Sequence, residues 1–247
     1  MFKFLMIGAA VVAAHAVPAS AAPGLDSKVY GTSIGRGVTE FEARYGRLTG
    51  RADDGASALV LEISHGFSKR FYGALKTTLE REPGGATQAS SIGVEGIYRL
   101  GMIPGVGVDV AIYGEYNAAL HGEPHNLETK LLLEKTVGRF DARLNLVAER
   151  LATARVPVEF SYAGSADYAV IGDELRLGVE AFGALGDSNR FGGRRAHFIG
   201  PVARIEIERF PLGGELEIET GYLFAVGAAA DNSRGQARIG LEWGLRF

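Results

Sequence analysis

Apolar and polar residues alternate with a period of two along most of this chain, and the alternation comes in segments. The segments run over 37–47, 56–66, 70–81, 89–100, 105–118, 125–136, 139–150, 157–170, 174–184, 196–208, 214–226 and 235–247. In 139–150, Phe140, Ala142, Leu144, Leu146 and Ala148 share one face. Asp141, Arg143, Asn145 and Glu149 share the other, with Val147 the exception. In 214–226, Leu216, Ile218, Tyr222, Phe224 and Val226 oppose Glu215, Glu217 and Glu219; in 174–184, Leu175, Leu177, Val179 and Ala181 oppose Glu174, Arg176 and Glu180. A period of two predicts strands with one apolar and one polar face. No amphipathic helix and no apolar run long enough for a membrane helix follows the N-terminal stretch.

The connections predict how the strands are joined. GFSK, GMIPG, VGR, IGDE and FPLGG occupy every second junction and are tight and rich in turn residues. The junctions between them are longer and more polar: LTGRADDGA, EPGGATQ, AALHGEPHN, LATARVP, GDSNRFGGRRA and GAAADNSRG. A Greek-key sandwich gives no reason for short and long to alternate, whereas a membrane barrel has tight turns at one rim and long loops at the other. A soluble barrel of lipocalin type would also alternate, with its apolar face lining a cavity. The loop alternation, an export signal and aromatics near strand ends (Tyr45, Tyr98, Tyr116, Phe140, Phe160, Phe224) favour the membrane form. The expected fold is therefore all-β, a transmembrane antiparallel up-and-down β-barrel of about 12 strands. An even strand number puts both ends of the barrel on the periplasmic side.

Composition agrees with this. Mean hydropathy is +0.07, as alternating faces require, and there is no cysteine for disulfides or thiolate metal sites. A net charge of -3 leaves no nucleic-acid footprint. Lys3, the apolar run FLMIGAAVVAAHAV and the small-residue site Ala19-Ser20-Ala21 read as a secretory signal peptide over 1–21, cleaved after Ala21. Residues 22–36 are then expected as a periplasmic lead-in to a barrel over 37–247.

The chain closes on ARIGLEWGLRF, which alternates to its last residue and ends on an aromatic. On a soluble protein such a terminal strand invites edge pairing. The stretch resembles the assembly signal of bacterial outer-membrane β-barrel proteins, through Arg238, Gly240, Trp243, Leu245 and Phe247. The resemblance implies a small porin-like protein folded by the barrel-assembly machinery in contact with outer-membrane lipids and lipopolysaccharide.

With the polar faces inward, the lumen is lined by the acids Glu40, Glu42, Glu95, Glu128, Glu180 and Glu206, and by Glu215, Glu217, Glu219 and Glu242. The bases there are Arg99, Lys130, Arg143, Arg176, Arg204 and Arg238. Across all inward positions acids outnumber bases by roughly two to one, which would concentrate small cationic solutes in a water-filled lumen. Small inward residues such as Gly93, Gly107, Ala163 and Gly221 leave room for a channel. The alternative is a closed barrel, filled by Glu–Arg networks, that acts through its external loops. Arg155, Arg190, Arg194, Arg195 and Arg234 fall in or near those loops and could grip lipopolysaccharide phosphates.

No enzyme, cofactor or metal is expected. His65 neighbours Ser68 at the short-turn rim, and His197 is nine residues from Ser188, so no Ser–His pair of a barrel hydrolase is legible. HGEPH (His121 to His125) is not HExxH, and Pro124 forbids the helix that would align metal ligands. Deleting Phe247 should leave unfolded chain in the periplasm; an unchanged yield in outer-membrane fractions would refute the assembly-signal reading.

Overall fold

The computed structural model describes residues 22–172 and 174–246; the segment read as a signal peptide and Phe247 lie outside these. Twelve strands follow one another. They are β1 (Val38–Thr49), β2 (Ser57–Gly66), β3 (Phe71–Arg81), β4 (Gln88–Ile103), β5 (Val108–Ala119), β6 (Asn126–Val137), β7 (Phe140–Leu151), β8 (Glu159–Ile171), β9 (Leu175–Asp187), β10 (Ala196–Ile207), β11 (Glu215–Gly227) and β12 (Gly235–Arg246). Each pairs antiparallel with its sequence neighbours, and β1 pairs with β12 from Val38↔Arg246 to Thr49↔Gly235, closing the barrel.

The expected strands are present with small boundary changes. The β4–β5 hairpin tip lies at 104–107 instead of 101–104, because β4 runs on through a bulge between Arg99 and Gly101. A bulge of this kind inserts an extra residue and bends its strand. The β11–β12 loop contains a single helical turn, α1 (Ala229–Asn232), which the periodicity did not predict. It is braced to the neighbouring long loops: Asn232 O accepts from Asp53 N (2.9 Å), and Arg194 forks onto Asp231 (2.5 and 2.7 Å). The hydrogen bond from Arg194 holds the Asp231 carboxyl below the ordinary aspartate range.

The two faces separate cleanly. Leu61, Ile63, Leu75, Ile112, Leu144 and Val179 point outward and are exposed, forming an apolar exterior. Aromatic contacts mark both rims. Phe67–Phe71 stack at the short-turn end (5.6 Å), and Phe160–Phe191 and Tyr222–Phe224 meet edge-on at the long-loop end (6.2 and 5.2 Å).

The interior holds one feature that the sequence reading placed elsewhere. Residues 22–36, expected as a periplasmic lead-in, form a strap that runs down the inside of the barrel antiparallel to β1. Its start lies in the long-loop half, with Gly24 against Phe182 and Leu25 against Gly46. Its end lies at the short-turn rim, where Gly37 N donates to Gly66 O (2.8 Å) before β1 begins. Val29 joins an apolar cluster with Leu48, Phe182, Phe198, Val202 and Leu223; Tyr30 joins another with Ile97, Ala111, Tyr113 and Leu132. Burying side chains of this size contributes about 1.5–3 kcal/mol each, which a lead-in left in water would forgo.

Two inward glycines let the strap approach the wall. A Cβ on Gly46 would strike the Leu25 carbonyl, and one on Gly66 would strike the carbonyl of Gly35. Gly46→Leu should therefore dislodge the strap while leaving the wall intact. The expected readout is new tryptic cleavage at Lys28 with unchanged β-sheet circular dichroism; continued protection of Lys28 would show that Gly46 does not seat the strap.

Candidate functional site in the barrel interior

Alternation carries the charged side chains of every strand into one enclosed space, where each needs a partner, because an isolated buried charge is costly. The partners come from two residues along the same strand or from nearby strands. Arg44 bonds Glu42 (2.5 Å) and reaches Glu62 (3.5 Å), and Glu62 also accepts from the Tyr72 hydroxyl (2.5 Å). Arg143 bridges Glu134 (3.0 Å) and Asp141 (2.8 Å). Arg204 gathers Glu217 (2.9 Å), Glu219 (2.6 Å) and Asp167 (3.4 Å), and Arg176 bonds the same aspartate. Lys76 bonds Glu115 (2.5 Å) with Glu95 at 4.0 Å, Lys130 bonds Glu128 (2.9 Å), and Arg99 bonds Asp109.

The strap enters this network directly. Lys28 Nζ bonds Glu42 and lies 3.4 Å from Glu242. Tyr30 N donates to Asn145 Oδ1 (2.8 Å), its carbonyl accepts from Asn145 Nδ2 (2.9 Å), and its hydroxyl donates to Glu95 (3.0 Å). Lys130 sits over the Tyr30 ring at 4.5 Å. Thr32 donates from both N and Oγ1 to Glu134 (2.7 Å each). Arg238 donates to the carbonyls of Gly24 and Ser27, and its Nε lies 3.9 Å from Glu180.

The strap divides the interior unequally. On the β3–β7 side Tyr30 packs against Tyr113, ring centroids 4.8 Å apart. Alongside the strap a cavity of about 220 Å³ remains, lined by the strap, by Glu40, Glu42, Arg204, Glu217, Arg238 and Glu242, and by Tyr72, Ile97 and Glu134 from the opposite wall. Its lining also includes Lys28 and Arg143, so bases and acids there are close to balance. Glu206 and Glu215 lie toward the short-turn end, in register with Glu217 and Gly244.

Of the C-terminal signature, Arg238 and Gly240 fall on the inner face, and Trp243 and Leu245 on the outer. Trp243 Nε1 donates to Gly213 O (2.8 Å), and its ring meets Phe41 of β1 (5.8 Å), tying the last strand to the first. Each described histidine has a partner of its own. His65 bonds Thr39 Oγ1 (2.9 Å), His121 bonds the Ala89 carbonyl (3.1 Å), His125 Nδ1 accepts from Ala119 N (3.1 Å), and His197 lies 3.3 Å from the Tyr162 hydroxyl.

The residues missing from the sequence reading are those of the strap. Lys28, Tyr30 and Thr32 fall at alternate positions, so a short period-two signal is present within 22–36.

Removing Arg204 would strand Glu217 and Glu219 and leave Asp167 to Arg176 alone. Breaking one partner out of a buried ion-pair network costs about 3–5 kcal/mol. Arg204→Ala should lower the urea midpoint of the micelle-folded barrel accordingly, while Arg204→Lys recovers part of the loss. An unchanged midpoint would mean that water already screens these carboxylates.

No protein-family model and no curated protein matches the chain. Solved structures do. The COG4313 outer membrane channel from Pseudomonas putida F1 aligns with a TM-score of 0.61 at 12% identity, covering 90% of this chain and 100% of that one. The KdgM porin aligns at 0.55 and 12%, covering 83% and 98%. The NanC porin aligns at 0.54 and 13%, covering 83% and 100%. At such identities the likeness is one of fold: this chain shares with these structures a closed β-barrel, here of twelve antiparallel strands.

Proposed function

We propose that this protein is an outer-membrane diffusion channel with a cation-favouring interior, acting by sieving and electrostatics with no covalent step. The observation that carries the reading is the cavity alongside the strap, charged within and enclosed by a barrel with an apolar exterior. The inward excess of acid over base supplies the cation preference, because low-dielectric walls focus the field along the lumen. The KdgM porin has been seen with disordered oligogalacturonate, a polyanion. Carboxylate rows would repel such a ligand, so the likeness of fold does not extend to that solute. Folding by the barrel-assembly machinery is part of the same proposal, as are contacts of the external arginines with lipopolysaccharide phosphates.

A second reading has its own support. The strap and the ion pairs that cross to it fill one side of the lumen, as a closed barrel with a structural or surface-binding role would require.

A planar bilayer separates the two. Refolded protein under a KCl gradient should conduct steadily with a cation-selective reversal potential, and Glu215→Gln, Glu217→Gln and Glu219→Gln together should weaken that selectivity. A sealed bilayer containing folded, inserted protein would establish the closed barrel, and unchanged selectivity in the triple variant would remove β11 from the conducting path.

A further inference from the structure

One fully buried residue of the wall, Asn145 of β7, is turned entirely to the strap. Its partners in register are Leu132 and Ala163, which bring no polar side chain. Among the described residues, both hydrogen bonds of its carboxamide go to the Tyr30 backbone: Oδ1 accepts from N (2.8 Å) and Nδ2 donates to O (2.9 Å). A carboxamide offers an acceptor and a donor side by side, as the neighbouring strand of a ladder would. With the strap lifted away, this amide would lie unpaired beside apolar residues, which is costly. It is suited to an occupant of the lumen and to nothing else in the wall.

Two more wall residues read the strap's backbone. Glu134 of β6 accepts from Thr32 N (2.7 Å), and Arg238 of β12 donates to the carbonyls of Gly24 and Ser27. Alternate side chains of the strap are housed as well. Lys28 Nζ bonds Glu42, the Tyr30 ring lies with Ile97, Ala111, Tyr113 and Leu132, and Thr32 Oγ1 donates to Glu134. Extended peptides are recognised in this manner: main-chain hydrogen bonds hold the segment, and pockets for alternate side chains choose it.

The strap is nevertheless not a strand of the wall. Among the described residues, no backbone–backbone hydrogen bond joins residues 26–34 to any strand. The twelve ladders close on one another without it, so its departure would create no sheet edge. The cavity of about 220 Å³ runs beside it, from Leu25 and Lys28 to Ile34 and Gly35. Once emptied, the seat and the cavity would form one continuous space.

We infer that the inner wall at Asn145, Glu134 and Arg238 is a groove for extended peptide, that the strap is its resident occupant, and that a free peptide patterned Lys-x-Tyr-x-Thr takes the same seat when the strap is loosened. Short basic peptides are then a solute class of this barrel. The inference deepens the channel reading and rests on it for passage, though not for binding.

The probe is acetyl-SKVYGTS-amide, a free copy of residues 27–33, with a shuffled peptide of the same composition as its comparison. Both are titrated calorimetrically into the micelle-folded full chain carrying Tyr30→Ala and Thr32→Val, which loosen the strap and leave the wall unchanged. Saturable binding of the ordered peptide is expected, and none of the shuffled one. The unaltered protein should bind far more weakly, because its tethered strap competes at an effective concentration of about millimolar. Adding Asn145→Ala to the double variant should weaken binding about tenfold, the loss expected for two buried hydrogen bonds to one amide. Tryptic cleavage at Lys28 reports whether the strap has left. Should it stay protected or the double variant not fold, Gly46→Leu releases the strap instead, at a position outside the peptide's span. No binding to a chain whose Lys28 is cleaved, equal binding of the shuffled peptide, or indifference to Asn145→Ala would overturn the inference. Protection of Lys28 in both variants would also overturn it, since the strap would then be a fixed part of the wall. Bilayer conductance in KCl on the same preparation separates this from the channel reading. Conduction without peptide binding keeps the channel and rejects the groove, whereas binding by a protein that does not conduct keeps the groove and rejects the channel.

Discussion

The pairing of β1 with β12 is the constraint on which the rest of this molecule depends. Twelve matched positions from Val38↔Arg246 to Thr49↔Gly235 turn a sheet with two edges into a wall with none. Without closure, the terminal strand, with Ile239, Leu241 and Trp243 on one face, would offer an open ladder to any other chain. With closure, the period-two alternation acquires a single meaning: one set of side chains faces outward around the whole circumference, and the other is confined inside. Trp243 reinforces the seam through Phe41 and the Gly213 carbonyl.

A closed wall also fixes an interior volume that must be filled or hydrated, and this protein fills it asymmetrically. The strap is threaded down one side, with Val29 and Tyr30 pointing into separate apolar clusters and Asn145 satisfying both backbone groups of Tyr30. Backbone inside a barrel has no ladder of its own, so each polar group needs a side-chain or solvent partner. Glu134 serves Thr32, and Arg238 serves the carbonyls of Gly24 and Ser27. These wall residues therefore do two things: they balance charge on the inner face and they stand in for the missing ladder of the strap.

What could be read from the sequence follows from the range of the interactions concerned. Faces and strand order depend on residues two apart and on turn chemistry at the next junction, so Glu42 inward and Phe41 outward were legible from a few neighbouring letters. The hairpin tip after β4 was misplaced because a bulge at Arg99–Gly101 absorbs residues that a simple period assigns to the turn. Four residues of α1 carry too little periodicity to show. The strap was misplaced for a different reason. Lys28 and Glu242 lie 214 positions apart in the chain and Tyr30 and Asn145 lie 115 apart, so nothing local distinguishes a segment that enters the lumen from one that leads up to it. For the interior, sequence yields the inventory of charges but not their pairing. A count of acids over bases overstates the field in the cavity, whose lining includes Lys28, Arg44, Arg143, Arg204 and Arg238 beside its glutamates.

For the channel proposed above, that balance changes how selection would have to work. If net charge alone acted, the whole lumen would attract cations equally. Among the described residues, Glu149 and Glu159 on the long-loop side and Glu215 on the other have no ion-paired base, whereas Glu42, Glu115, Glu134 and Glu219 are held by arginine and lysine. Charge at a mouth raises the local concentration of oppositely charged solute, and charge within a constriction sets the barrier to passage. In the proposed channel a cation would then meet a middle section where Arg204 holds Glu217 and Glu219 and Lys28 is already seated on Glu42 beside Glu242. Passage through such a section would require a solute to displace one ion pair as it forms another, which a count of net charge does not capture.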